Sequence, residues 1–138
     1  MAGRASRGDA IWGNWETPVH NILVIEDNDD NRTLVVKVLG RQGYVVREAV
    51  SAERGLEAAA ADPPDLILMD LNLTGMSGFE AAGRVKADPR LQHVPVVALT
   101  AYAMVGDRER ALEAGCDGYI SKPVDVRRLP DQLKEFLT

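Results

Sequence analysis

The alternation of two hydrophobic patterns along the sequence constrains the fold of this chain more than any other feature. From Asn21 onward, short apolar runs are separated by longer segments in which apolar residues recur every three or four positions. The runs cover residues 22–25, 44–46, 66–69, 94–99 and 118–120. Most are nearly continuous, as in parallel strands that helices cover on both faces. The pattern therefore predicts five buried parallel strands.

The segments between the runs have helical spacing. The first predicted helix presents an apolar stripe of Leu34, Val35, Val38 and Leu39, and Gly40 or Gly43 would end it. The other predicted helices run over about 51–61, with Ser51 as its N-cap, then 77–87, 103–114 and 125–137. The last helix would turn five residues inward: Val126, Leu129, Leu133, Phe136 and Leu137.

Strict β-α alternation defines the fold class. Because crossovers between parallel strands are right-handed, five strands and five helices predict an α/β fold with a doubly wound five-stranded parallel sheet. The chain has 138 residues, the usual size of one domain. We expect that domain to occupy residues 21–138. Residues 1–20 show no sustained period and are interpreted as a flexible N-terminal extension, in which Trp12 and Trp15 could dock on the domain or on a partner.

Charge and cysteine content exclude several kinds of function. The net charge is −5, so direct nucleic-acid binding, which needs a basic surface, is not expected. Cys116 is the single cysteine, which rules out an internal disulfide and a Cys-rich zinc site. No apolar run approaches the roughly 18 residues of a membrane helix and no signal peptide follows Met1, so we expect no membrane insertion and a cytoplasmic location.

Polar residues follow four of the five predicted strands directly. They are Glu26-Asp27, Asp70, Thr100 and Ser121-Lys122-Pro123. In an open parallel sheet the ligand site lies at the carboxyl ends of the strands, so these side chains should converge. Crowded carboxylates need a compensating cation, and Mg²⁺ is typically held by one or two of them together with carbonyl and water oxygens. Together with a lysine and a hydroxyl, such a site has the parts needed to accept a phosphoryl group.

Four ordered motifs carry a family resemblance. ILVIEDN, then LILMD with Gly78 eight residues after Asp70, then VVALTA and GYISKP resemble the receiver domain of bacterial two-component response regulators. The resemblance extends over about residues 21–137 and implies the flavodoxin-like receiver fold. It also implies that Asp70 accepts a phosphoryl group from phosphohistidine. Mg²⁺ would be held by Asp27, Asp70 and the backbone carbonyl of Asn72, with Glu26 assisting through water.

The resemblance assigns further roles near the acceptor. Thr100 and Lys122 would hold the phosphoryl oxygens, and the small Ala101 would keep the approach open. Tyr119 would be an aromatic switch that turns inward when Thr100 moves, and Pro123 would follow a cis peptide bond.

The chain departs from the family pattern at several positions. Thr74 stands where the family usually has proline, which predicts a looser loop. Asn72 and Tyr102 occupy positions that tune self-dephosphorylation in the family, so the lifetime of the phosphorylated form stays open. Glu26 replaces the commoner aspartate, a variant that the family tolerates.

We interpret the chain as a phosphorylation switch rather than an enzyme, with at most slow self-dephosphorylation. Its donor would be a histidine kinase or a histidine phosphotransfer protein. Because nothing after Thr138 could form an output domain, output would be contact with a partner protein through the fourth helix, fifth strand and fifth helix. The segment 100–123 is similar both to single-domain regulators of cell division and to receivers fused to hybrid histidine kinases, and both readings stay open.

Two other classes of function are alternatives to this interpretation. The segment DLNLT, residues 70–74, resembles the DxDxT motif of haloacid-dehalogenase-type phosphatases, but Asn72 cannot serve as the general acid and base that the second aspartate supplies there. A receiver-like module that binds partners without being phosphorylated is the other alternative. It is disfavoured because the residues of the phosphorylation site are all present.

Overall fold

Five parallel strands form a single sheet in the computed structural model, which describes residues 19–101 and 106–137. The strands are β1 (Asn21–Ile25), β2 (Val45–Ala49), β3 (Leu66–Asp70), β4 (Val96–Thr100) and β5 (Gly118–Ser121). Their order across the sheet is β2-β1-β3-β4-β5, and every neighbouring pair is parallel. The predicted doubly wound five-stranded α/β fold is confirmed.

Both faces of the sheet are buried, which explains the continuous apolar runs. On β1, Leu23 and Ile25 belong to one apolar cluster, whereas Ile22 and Val24 belong to a second cluster on the other side. Side chains alternate between faces along a strand, so a strand covered on both faces has to be apolar at every position. All five residues of β3 and of β4 are buried, whereas β2 is an edge strand with exposed positions.

Five helices cover the sheet: α1 (Asp29–Arg41), α2 (Ala52–Ala61), α3 (Gly78–Ala87), α4 (Asp107–Ala114) and α5 (Leu129–Lys134). Side-chain caps begin the first three. Asn28, Ser51 and Ser77 each accept a hydrogen bond from the backbone N–H three residues later. Such caps satisfy N–H groups that have no partner within the helix, so these helix starts are encoded locally.

The structure corrects details of three expected elements, α1, α5 and β2. Leu34 is 43% exposed rather than inward, and α1 continues past Gly40 to Arg41. Gly43 follows the helix with φ +92°, a left-handed conformation that glycine adopts without strain. The helix expected over 125–137 is shorter, spanning Leu129–Lys134, and Val126 lies before it and is exposed. Strand β2 starts at Val45 and continues to Ala49.

Some expectations lie outside the described residues. They concern residues 1–18, with Trp12 and Trp15, and residues 102–105 at the expected start of the fourth helix. Among the helices that the structure describes, none combines the length and apolar character of a membrane span.

Two glycines bring helices close to the strands that carry site residues. A Cβ atom on Gly55 of α2 would lie 2.3 Å from Ile25 Cδ1, at the end of β1. A Cβ atom on Gly78 of α3 would lie 2.5 Å from the backbone oxygen of Asp70. Because the second neighbour is backbone, it cannot move aside by a change of rotamer. Glycine at 78 therefore allows the first turn of α3 to pack directly against the end of β3.

Candidate functional site

Three acidic residues and one lysine meet at the carboxyl end of the sheet. Glu26 and Asp27 follow β1, Asp70 ends β3 and Lys122 follows β5. One carboxylate oxygen from each of Glu26, Asp27 and Asp70 lies within 4.8 Å of the others. The convergence expected from the strand ends is therefore present.

Lys122 is the cation at the centre of this cluster. Its Nζ donates a hydrogen bond to Asp70 Oδ2 at 3.0 Å and lies 2.7 Å from Glu26 Oε1. The lysine side chain is 15% exposed, whereas Glu26 is 1% exposed and Asp70 is 3% exposed. One buried ammonium thus balances part of the negative charge of two buried carboxylates, which leaves the cluster with an excess of negative charge.

The pKa values of the cluster reflect burial and charge. Burial raises the pKa of Glu26, the neighbouring Asp70 raises it further, and the contact with Lys122 opposes the change without cancelling it. Burial alone would lower the pKa of Lys122, but its contacts with Glu26 and Asp70 outweigh that effect and raise it. Lys122 is therefore fully charged at neutral pH.

Asp27 is held from the β3–α3 loop. Both the backbone N–H and the side-chain hydroxyl of Thr74 donate to Asp27 Oδ2, each at 3.1 Å. Burial alone would raise the pKa of Asp27, but these two hydrogen bonds help to lower it. Threonine here supplies two donors that proline lacks, and whether the loop is looser than one with proline stays a prediction.

The donor set fits a hard divalent cation. Three carboxylates supply the oxygen ligands that Mg²⁺ prefers. Oε1 of Glu26 is buried, and its partner is the Lys122 ammonium 2.7 Å away, which Glu26 shares with Asp70. An oxygen in that state would gain from a nearby cation or from a water molecule bound to one. The residues present can therefore hold a metal ion.

The backbone that follows Asp70 bonds to the Asp70 carboxylate oxygen that Lys122 does not contact. The N–H of Asn72 donates to Asp70 Oδ1 at 2.9 Å, so the two carboxylate oxygens have different partners. Leu71 and Leu73 are buried, whereas the alternating Asn72 and Thr74 are exposed. The buried leucines hold the loop in place and leave Asn72 at the edge of the cluster.

Thr100 ends β4 next to the acidic cluster. Asp70 is paired with Leu99 and Thr100 with Ser121, which places Thr100 between the strand ends that carry Asp70 and Lys122. The N–H of Lys122 donates to the Thr100 carbonyl at 2.7 Å, and Thr100 is 2% exposed. Thr100 and Lys122 are therefore joined directly by a backbone hydrogen bond.

A hollow of about 410 Å³ opens beside the cluster. Glu26, Ala101, Lys122 and Pro123 contribute to its walls, with Leu34 on the α1 side. Ala101 is exposed and leaves space near the lysine. The Lys122–Pro123 peptide is cis, as the resemblance implied.

Tyr119 lies away from the acidic cluster. It is half-buried, packs against the apolar core and lines a separate groove between α4 and α5 with Leu112 and Phe136. Tyr102 is outside the described residues. Among the expected site residues that the structure describes, Tyr119 lies within β5 and not at its carboxyl end.

Arg32 is a site neighbour that the sequence analysis missed. Its guanidinium donates to the Glu26 carbonyl at 2.9 Å and also bonds to Asp29 and Glu48. It thereby fixes the backbone between Glu26 and Asp27. A signal was present, because Arg32 stands three residues before the buried Val35 and thus on the inward side of α1.

Comparison with known proteins gives one consistent result. The family model described as response regulator receiver domain matches residues 22–134. The polar-differentiation response regulator DivK of Brucella anthropi is 42% identical over 120 residues, covering 85% of this chain and 95% of that protein.

Two solved structures are similar in fold. One is the receiver domain of the sensor histidine kinase PA1611 from Pseudomonas aeruginosa, with a magnesium ion coordinated in its active-site cleft. It has a TM-score of 0.81 and 33% identity, covering 87% of this chain and 98% of that one. The other is the receiver domain of the response regulator Ssk1 from Saccharomyces cerevisiae, in complex with the histidine phosphotransfer protein Ypd1. That match has a TM-score of 0.80 and 28% identity, covering 87% of this chain and 90% of that one.

Proposed function

The chain belongs to the response regulator receiver domain family, and we propose that Asp70 is the residue that accepts the phosphoryl group. The family and its relatives establish a phosphorylation-dependent signalling switch of two-component systems. The observation that carries the assignment of Asp70 is its contact with Lys122 at 3.0 Å inside a cluster of three carboxylates. Among these three, Asp70 alone ends a central strand and has Thr100 at the next strand end.

Mg²⁺ is the cation that we assign to this cluster. Asp27, Asp70 and the Asn72 carbonyl would be its ligands, with Glu26 acting through water. When bound, the ion would offset the negative charge of the carboxylates and of the incoming phosphoryl group. The PA1611 receiver, which holds magnesium in its cleft, supports this choice.

The protein's own residues would carry out the transfer. A carboxylate oxygen of Asp70 attacks the phosphorus of a phosphohistidine, the new O–P bond forms as the P–N bond breaks, and the electron pair returns to the imidazole nitrogen. Lys122 then pairs with a phosphoryl oxygen in place of Asp70 Oδ2. Thr100 would donate its hydroxyl to another phosphoryl oxygen. The reaction needs positioning and charge neutralisation more than acid or base catalysis.

The donor and the output partner are both proteins in this proposal. A histidine kinase or a histidine phosphotransfer protein would supply the phosphoryl group, a role that the Ypd1 complex of Ssk1 supports. The output surface would consist of α4, β5 and α5. Its groove holds Tyr119, half-buried beside the exposed Leu112, so a change in the position of Tyr119 would alter an accessible apolar surface.

Phosphorylation by a small donor tests the assignment. The protein is incubated with Mg²⁺ and acetyl phosphate, and intact mass is followed over time. We expect a gain of one phosphate that decays slowly, and no gain for Asp70→Asn. The matched control is Asp131→Asn, which changes an exposed carboxylate of α5.

Other outcomes of this experiment would contradict the proposed function or the assignment of Asp70. No gain in the wild-type protein would favour a module that is not phosphorylated, and rapid turnover of many phosphate esters would favour a hydrolase. Retention of the mass gain in Asp70→Asn would assign the acceptor to another residue. Hydrogen exchange on the phosphorylated sample tests the output surface, because exchange rates over residues 106–137 should change.

A further inference from the structure

Thr74 connects the two loops that bear the acidic residues. It lies in the loop between β3 and α3, four residues after Asp70, and its two hydrogen bonds reach Asp27 in the loop after β1. Both donors bind the same oxygen, Oδ2. Asp27 Oδ1 thus has no bond from Thr74.

The position of Thr74 is set by its neighbours. Leu73 is buried on one side, and Gly75 follows with φ +84°, which lets the chain turn immediately after Thr74. The Ser77 side chain then caps α3. Because buried and capped residues flank Thr74, its donors are held toward Asp27 by the loop itself.

We propose that Thr74 is a positioning residue that fixes the Asp27 carboxylate for binding of the divalent cation. The inference rests on the proposed function, because it takes Asp27 as a ligand of Mg²⁺. Hydrogen bonds to a ligating carboxylate set its orientation, and losing one typically weakens metal binding about 10–100-fold. Proline at this position could make neither bond, since it has no N–H and no hydroxyl. This chain would therefore hold Asp27 by a means that a proline-bearing receiver lacks.

A series of substitutions at one position separates the two donors. Thr74→Ser keeps both, Thr74→Val keeps the N–H and the branched shape but loses the hydroxyl, and Thr74→Pro loses both. Mg²⁺ affinity is measured by calorimetry on the unphosphorylated protein. We expect wild-type affinity for the serine variant, about tenfold weaker binding for the valine variant, and the weakest binding for the proline variant.

Rates of phosphorylation provide a second measurement. The rate with acetyl phosphate is followed as a function of Mg²⁺ concentration. Thr74→Val should need more Mg²⁺ to reach half of the maximal rate but should approach the wild-type rate at saturation. Thr33→Val, at an exposed threonine of α1, is the matched control and should change neither value.

The outcomes distinguish this inference from the proposed function. If the wild-type protein does not bind Mg²⁺, the proposed metal site fails, and the role of Thr74 fails with it. If wild type binds and the valine variant binds equally well, only the role of Thr74 is overturned. A lower melting temperature of the valine variant with unchanged Mg²⁺ affinity would also overturn it, because Thr74 would then be merely structural.

Discussion

At the carboxyl end of the sheet, one lysine contacts two of three clustered carboxylates, whereas at the amino end a half-buried lysine pairs with a single aspartate. Lys86 of α3 donates to Asp117 at 2.8 Å and to the Val94 carbonyl at 2.9 Å. Asp117 also accepts from the N–H of Val96 at 2.8 Å. Burial together with Asp117 raises the pKa of the neighbouring Cys116 thiol to about 11, so that group stays neutral.

The comparison of the two ends distinguishes charges that stabilise the fold from charges that belong to the candidate site. At the amino end, the pair of Lys86 and Asp117 joins α3 to the start of β4 and β5, with one cation for one carboxylate. The carboxyl end has surplus negative charge, because one lysine lies among three carboxylates, two of which are buried. Such a surplus is what we expect of the proposed site, whose charge would be balanced only when a cation binds.

Replacing the lysine at the carboxyl end should have the largest effect. Lys122→Met removes the charge that would pair with the transferred phosphoryl group, so phosphorylation by acetyl phosphate should slow by about 10²–10³-fold. Intact mass against time at saturating Mg²⁺ measures the rate. A wild-type rate in this variant would show that Lys122 takes no part in the reaction. The proposed difference between the two ends of the sheet would then be wrong.

Replacing the lysine at the amino end should change stability instead. Lys86→Met leaves the Val94 carbonyl and the Asp117 carboxylate without this donor, so the free energy of unfolding should fall by about 1–3 kcal/mol. Urea denaturation measures that change. The rate of phosphorylation should equal that of wild type, and a large loss of rate in fully folded Lys86→Met would contradict the division between the ends.

The smallest expected effect is a gain in stability at the carboxyl end. Burial raises the pKa of Glu26, so its ionisation destabilises the folded state as pH rises through that value. Glu26→Gln should therefore raise the free energy of unfolding of the metal-free protein near pH 7 by about 0.5–2 kcal/mol. The advantage should shrink as pH falls and Glu26 becomes protonated. An advantage that is independent of pH between 4 and 7 would show that charge is not its cause.

The strand ends explain why so much of the site could be predicted from the sequence. Asp27, Asp70, Thr100 and Lys122 each follow or end an apolar run, and a parallel sheet brings all such ends to one edge. That these four residues lie close together follows from the topology of the parallel sheet alone. The α5 boundary also had a local signal, because Pro130 is tolerated only in the first turn of a helix, which fits a start at Leu129.

Other features depend on tertiary contacts that a local pattern cannot show. Leu34 has helical spacing typical of a buried residue, but it lies at the hollow beside Pro123 and is partly exposed. The pairing of Thr74 with Asp27 joins residues 47 positions apart. It depends on the path of a loop, and loop paths follow from the packing of flanking residues such as Leu73.

Gly78 determines how closely α3 packs against the end of β3. With no side chain between them, the first turn of α3 abuts the main chain of Asp70, the residue that we propose as acceptor. A displacement triggered at Asp70 is expected to travel the other way, across β4 toward Tyr119. Even the smallest side chain at position 78 would clash with the backbone of Asp70, so α3 or the end of β3 would have to shift.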